Sequence, residues 1–339
     1  IHSRAAKLVA THRVTTLNKG KKTAGIDKKV LSKPEEKLNL ALSLSLDGKA
    51  LPIRRVWIPK PGKQEKRPLG IPVIEDWAKQ QLARLALEPE WEAIFEPNSY
   101  GFRPGRGCHD AIEGIFLNLR GGTLKWVFDA DIKKCFDRID HMALLQKLNT
   151  FPAMRQQIKA WLKAGVMEGY ANSPDPSEIV STELGTPQGG VISLLLANIA
   201  LHGLENHLKD FVGELPMKPH PGANRGKATR RRARGVIRNA DDYVLIQRNK
   251  EILELCIAKT HKWLATMGLE ISEEKSALRD ARYGFKFLGF KITLVRKPTV
   301  GNYKVKIKPS VEKQKSLLHK VKKIVRNNKA VSSYDLIQM

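Results

Sequence analysis

Cysteine is scarce in this chain: Cys108, Cys135 and Cys256 are the only three in 339 residues, and no two of them form a Cys-x-x-Cys pair. That spacing argues against a disulfide framework and against a zinc module, and it suits a reducing compartment. The nine histidines form no ligand pattern either. Long apolar runs are also missing. The longest, Val191 to Leu204, is broken by Ser193, Asn198 and His202 and is too short to span a bilayer, so no transmembrane helix and no membrane partner are expected. The chain opens at Ile1 without a signal-like apolar segment, so no secretion signal is expected and the sequence reads as a fragment of a longer protein. Acidic residues are few. Sixty Lys and Arg stand against thirty-four Asp and Glu, a formal net charge of +26, and a field of that size points to a polyanionic partner, nucleic acid above all.

The few acids are placed pointedly. Gly235-Val-Ile-Arg-Asn-Ala-Asp-Asp-Tyr-Val-Leu-Ile-Gln247 sets Asp241 and Asp242 between two runs of strand-forming residues, the pattern of a β-hairpin with carboxylates at its tip. Two adjacent carboxylates repel unless a cation lies between them, which suggests a divalent-metal site of oxygen ligands. On this stretch alone a solvated turn is the commoner arrangement. A second acid-bearing strand shifts the balance: Leu124-Lys-Trp-Val-Phe-Asp-Ala-Asp-Ile132 places Asp129 and Asp131 on one face. If the hairpin pairs beside it, Asp131 joins Asp241 and Asp242. Three carboxylates can hold two Mg²⁺, the arrangement by which polymerases activate a 3′-hydroxyl and stabilise the leaving pyrophosphate.

Six blocks in order then resemble the reverse transcriptases encoded by group II introns, also called maturases. They are Arg55-Val-Trp-Ile-Pro-Lys60 with Lys66-Arg-Pro-Leu-Gly-Ile-Pro72, Ser99-Tyr-Gly-Phe-Arg-Pro-Gly-Arg106, Asp131-Ile-Lys-Lys-Cys-Phe-Asp137, Gly185-Thr-Pro-Gln-Gly-Gly-Val-Ile-Ser193, Ala240-Asp-Asp242 and Phe285-Lys-Phe-Leu-Gly-Phe290. The resemblance implies an α/β (α+β) right-hand polymerase, with an antiparallel palm sheet backed by helices. It divides the chain into a basic N-terminal extension (1–50), fingers (51–125), a palm with fingers elements and a basic insertion near 214–234 (126–295), and a truncated thumb start (296–339). It implies RNA-directed DNA synthesis with Asp131, Asp241 and Asp242 on two Mg²⁺ and the backbone of Ile132 as a further ligand. The partners implied are group II intron RNA, an RNA template, a DNA primer or target, and deoxynucleotides, in a bacterial cytoplasm or an organelle matrix. A splicing cofactor with weak or no polymerase activity is one alternative, and a related reverse transcriptase recruited to defence or repair is another. DNA-binding and endonuclease regions would lie outside this chain.

Other residues acquire expected roles in chain order. The Gly- and Lys-rich loop with Lys19, Lys21 and Lys22 is either a solvated linker or an RNA contact, and the resemblance favours RNA. Lys60 and Arg67, across a fingers hairpin, suit a nucleotide triphosphate. Asp76 is expected to cap a helix whose core face carries Trp77, Leu82, Leu85 and Trp91. Arg103 and Arg106, in a turn-rich loop with Tyr100 and Phe102, suit template phosphates. Ile112, Ile115, Phe116 and Leu119 form a helical core stripe. The resemblance places Phe136 under the incoming sugar, against a 2′-hydroxyl, although a core phenylalanine fits the sequence equally. Gln188 could contact nucleotide or template, and Gly189 and Gly190 would let backbone approach a ligand. Residues 214–234 read as a mobile solvated loop. A helix from Glu251 to Gly268 is expected to bury Ile252, Leu255 and Trp263. Lys275 falls near the expected nucleotide entry. Phe285 to Ile292 alternates as one strand, and Phe287, Leu288 and Gly289 resemble the primer grip. Two departures stand out: Asn239 replaces an aromatic usual in the family and Leu194 replaces a proline, and neither removes an acid.

Overall fold

A computed structural model describes residues 1–59, 65–167, 179–186, 189–216, 226–232, 235–298 and 301–338. Its strands are β1 (Ile53–Pro59), β2 (Lys66–Ile71), β3 (Trp126–Asp131), β4 (Val166–Met167), β5 (Ile179–Val180), β6 (Gly235–Asn239), β7 (Asp242–Gln247), β8 (Ala277–Asp280), β9 (Phe285–Phe287), β10 (Phe290–Arg296) and β11 (Tyr303–Pro309). The chain forms two compact units, each assembled from three segments.

The first unit comprises residues 1–107, 132–208 and 258–272. Its sheet has the order β2-β1-β4-β5, with β1 parallel to β4 and the other pairs antiparallel. The N-terminal segment is packed into this unit. Its first helix, Arg4–His12, begins where the Ser3 hydroxyl accepts from the Ala6 amide, and it continues into a π-helical turn, Arg13–Leu17. Ala10 packs with Leu44, Ala78 and Leu82, and Val14 with Ile71, Ile74 and Trp77, so both cores are shared with the helix Ile74–Ile94. Asp76 does not cap that helix. Val73 holds the N-cap position, and the buried Asp76 carboxylate instead accepts hydrogen bonds from the Leu51 amide (3.0 Å) and the Trp161 indole (3.1 Å). Burial pushes its pKa up. A carboxylate in the first helical turn can turn inward when other donors reach it, which helical periodicity alone does not reveal.

The second unit comprises residues 108–131, 209–257 and 273–339. One antiparallel sheet has the order β6-β7-β3-β8, and a second has the order β11-β10-β9. The helix Cys108–Leu119 buries Ile112, Ile115 and Leu119, whereas Phe116 is 40% exposed. In the helix Lys250–Ala265, Ile252 is buried but Leu255 is 41% exposed. Trp263, at the end of that helix that belongs to the first unit, is half-buried beneath the ammonium of Lys147 in the same unit. Phe116 and Leu255 lie at the margin of their apolar stripes. The expected loop near 214–234 contains a short helix, Lys227–Arg232, pinned by Arg230 to the Gly213 carbonyl and by Arg231 to Asp210. Residues 217–225 and 233–234 of that insertion lie outside the described residues. Phe285 to Ile292 is two strands, because Leu288 (φ +48°) and Gly289 (φ +83°) turn the chain between the paired Phe287 and Phe290. Positive φ at both central residues is the signature of a type I′ hairpin, and leucine is a strained occupant of its first position.

Candidate active site

Three acids meet in the second unit because of strand register. β6 and β7 form the expected hairpin, with Asn239 paired to Asp242 and Ala240-Asp241 as the two-residue turn. Ala240 has φ +61° and Asp241 does not share the positive value, the pattern of a type II′ turn, which alanine occupies under strain. On its other edge β7 pairs with β3 in a register that sets Asp131 directly opposite Asp242. Directly opposed residues project to one face with Cβ atoms about 5 Å apart. Asp131, Asp241 and Asp242 are therefore neighbours at one end of the sheet.

The electrostatics fit a cation. Burial first, then the charges of Asp241 and Asp131, push the Asp242 pKa up to about 6, while Lys275 opposes the rise. Lys275, in the short 3₁₀ turn Glu273–Lys275, places its ammonium 3.0 Å from Asp131 Oδ1. That hydrogen bond is the main reason its own pKa is raised, with the charges of Asp131, Asp241 and Asp242 adding to it. Among the described residues no three acidic, histidine or cysteine side chains are drawn to ligand distance of one point. The donor set is nonetheless that of a hard divalent ion: oxygen anions in mutual repulsion, with one lysine partly neutralising them. Asp129 shares the face of Asp131 but is held by Arg279 Nε at 2.9 Å from its Oδ1. That partner was not legible in sequence, because it depends on β8 pairing beside β3.

The remaining expected residues divide by unit. In the second, Phe287 is buried, and Leu288 and Gly289 form the hairpin turn, whose Gly289 carbonyl accepts from the Ser310 amide. In the first, Lys19, Lys21 and Lys22 are exposed on their loop, and Lys21 donates to the Thr16 carbonyl. Arg67 is exposed on β2, and Lys60 lies outside the described residues, as does Gln188. Ile132 is buried in a β-bridge to Ile271. Phe136 is half-buried, edge-on to Phe102 with ring centroids 6.2 Å apart. Phe102 is 44% exposed and sits at φ +61°.

Two expectations are corrected. Arg103 is no free template contact: its buried guanidinium clasps Glu92, at 2.7 Å, and donates to the Glu96 and Ser99 carbonyls. The half-buried Arg106 donates to the Pro97 carbonyl and lies over the Tyr100 ring. Gly189 does use its backbone freedom (φ +124°), but the space a Cβ would fill is occupied by the Gly70 carbonyl, and its own carbonyl accepts from Trp77 Nε1. The close approach is to the protein's own β2. At Gly190 the nearest neighbours of such a Cβ would be Gln80 and Ser193.

Comparison with known proteins bears on the same residues. The family model described as reverse transcriptase (RNA-dependent DNA polymerase) matches residues 58–292, and that of the N-terminal domain of reverse transcriptase matches residues 1–44. This chain belongs to the reverse transcriptase family. Among curated relatives, the group II intron-encoded protein LtrA of Lactococcus lactis subsp. cremoris is 40% identical over 207 residues, covering 59% of this chain and 32% of LtrA. Protein YkfC of Escherichia coli (strain K12) is 31% identical over 316 residues, covering 86% of this chain and 80% of YkfC. The chain thus spans about a third of the length of LtrA. Among solved structures, an apo telomerase from Candida tropicalis aligns with a TM-score of 0.53 at 14% identity, covering 76% of this chain and 55% of that one, which shows the shared right-hand polymerase fold. Members of the family use divalent metal ions, in agreement with the acid cluster. No helix among the described residues is long and apolar enough to cross a membrane.

Proposed function

We propose that this protein is the polymerase portion of a group II intron-encoded reverse transcriptase, which copies RNA into DNA and binds its intron RNA to assist splicing. One observation carries the chemistry: Asp131 and Asp242 are directly paired across β3 and β7, with Asp241 beside them in the turn. These three would hold two Mg²⁺, with the Ile132 carbonyl as a further ligand, and the ions would lower the pKa of a primer 3′-hydroxyl and neutralise charge on the leaving pyrophosphate. In the reaction the 3′-oxygen bonds to the α-phosphorus of a deoxynucleotide as the bond to pyrophosphate breaks. The acids gather positive charge at the point of attack. Lys275 beside the acids supplies a cation for a triphosphate, and Arg67, Lys60 and Gln188 are assigned to nucleotide by the family pattern. Phe136, steadied by the ring of Phe102, would bar a 2′-hydroxyl.

The remaining roles follow the same reading. Lys19, Lys21 and Lys22 contact RNA phosphates, Arg106 lies along the template, and Phe287, Leu288 and Gly289 hold the primer. The functional division is an N-terminal extension (1–50), fingers (51–125), palm (126–295) and thumb start (296–339). The site of action is a bacterial cytoplasm or an organelle matrix. The deciding experiment is primer extension on an RNA template by Asp131→Asn and Asp241→Asn variants. Loss of extension without a lowered circular dichroism melt is the expected result, and retained extension would refute the assignment. A splicing cofactor without polymerase activity is favoured only if the wild-type chain promotes splicing but extends no primer.

A further inference from the structure

The β11-β10-β9 sheet has one apolar and one cationic face. Phe285, Phe287, Ile292 and Leu294 are buried on the first. On the second, Lys286, Lys291 and Lys308 lie in one row across all three strands, and Lys306 and Lys304 continue along β11 opposite Thr293 and Val295. All five lysines are exposed. Among the described residues only Lys286 is ion-paired, to Glu312 at 2.6 Å. Like charges directly opposite on paired strands repel. The row Lys286, Lys291 and Lys308 is therefore unfavourable in the free protein, and an external polyanion would offset it.

We propose that this face is a track for the sugar-phosphate backbone of a nucleic-acid strand, bound without regard to sequence. Alternate residues on a strand are spaced about 6.7 Å apart. The axial rise on one nucleic-acid strand is about 3.4 Å per nucleotide. Lys308, Lys306 and Lys304 thus repeat at about twice that axial rise, close enough together for a single strand to meet each of them with a phosphate of its own. The track starts beside the Leu288-Gly289 turn and runs away from it along β11. Its chemistry is that of backbone contact: lysine is a point charge without the bidentate fork of arginine, and no aromatic side chain stands on this face to stack on a base. The same lack disfavours an anionic membrane, since an interfacial surface inserts large apolar side chains between its cations. Thr293 and Val295 are the uncharged residues between the lysines. The proposal rests on the polymerase reading only for the identity of the polyanion.

The test compares a Lys304→Gln, Lys306→Gln, Lys308→Gln variant with a control in which three exposed lysines elsewhere, Lys159, Lys163 and Lys262, become glutamine. Affinity for a labelled primer–template duplex of arbitrary sequence is measured without nucleotide across a salt series. The track variant should lose about 0.9 from the slope of log K against log salt for each phosphate contact removed, two to three in all, and at least tenfold in affinity at about 0.1 M salt. The control should lose less than half of either. Changing the sequence of the duplex should leave both losses unchanged. The melting temperature of the track variant should equal or exceed the wild type's, because the Lys291–Lys308 repulsion is gone, and the corresponding triple arginine variant should restore binding. Equal losses in the two glutamine variants, failure of arginine to restore binding, or loss confined to phosphatidylserine-containing vesicles would overturn the proposal. Extension from saturating primer–template is followed separately: a wild-type chain that extends nothing would end the polymerase reading and leave the binding comparison to decide the track.

Discussion

Replacing Asp242 by asparagine should make the metal-free protein more stable while removing its chemistry. The half-buried Asp242 carboxyl has its pKa pushed up from 3.8 to about 6 by burial and by Asp241 and Asp131. At about 1.4 kcal/mol per pH unit, the ionised carboxylate costs the folded state up to about 3 kcal/mol, and residual solvent contact reduces this to roughly 1–3 kcal/mol. The sign follows from the direction of the shift. Well below pH 3.8 the group is protonated in folded and unfolded chains alike and costs nothing; the cost grows as pH rises toward 6 and is complete above it. Asp242→Asn should therefore raise the urea-unfolding free energy at pH 7.5 in EDTA by that amount and leave it nearly unchanged at about pH 3. Millimolar Mg²⁺ should narrow the gap at pH 7.5 by stabilising the wild type, since a ligand that binds only the folded state adds stability by mass action. No primer extension should remain. An asparagine variant no more stable than the wild type at pH 7.5, or equally stabilised at both pH values, would refute the picture of three mutually repelling acids.

Asp129→Asn should reduce primer extension severalfold at most, because Asp129 is occupied by Arg279; if Asp129 is essential and Asp131 dispensable, the assigned pair on β3 is wrong. Phe136→Ala should admit ribonucleotides in single-nucleotide incorporation, and unchanged discrimination would make Phe136 a packing residue. Arg103→Ala should destabilise by about 2–4 kcal/mol in urea unfolding, since it leaves Glu92 without its partner, with little change in the salt dependence of RNA binding; the reverse outcome would restore a template role. Neutralising Lys19, Lys21 and Lys22 together should lower the RNA salt slope by at most about one per lost phosphate contact and leave extension of saturating primer–template near normal.

The residues that carry local signals were legible from sequence. The Asn-Ala-Asp-Asp turn between β-branched runs specified the β6–β7 hairpin, and the period of two put Asp129 and Asp131 on one face. Asp140, an aspartate directly before the apolar run of residues 141–148, accepts from the Ala143 amide as an N-cap. The ordered blocks fixed the family, because six matches in order constrain a chain far more than one Ala-Asp-Asp. What sequence left open was occupancy, meaning which partner a polar side chain finds. Arg103 was read as a template contact, Asp76 as a helix cap and Asp129 only as a neighbour of Asp131 on one face, and each is satisfied by a residue whose proximity depends on packing: Glu92 for Arg103, Arg279 for Asp129, and the Trp161 indole for Asp76. A charged group entering a partly dry interior takes a partner wherever the fold supplies one, and periodicity carries no record of it. Sheet order is the second thing that only the tertiary structure decided. The sequence placed Asp131 at the end of one strand and Asp241 and Asp242 at the tip of a hairpin, but their meeting required β7 to pair with β3 in the register that opposes Asp131 to Asp242. A slip of one residue would send one of those two carboxylates to the opposite face, because side chains alternate along a strand.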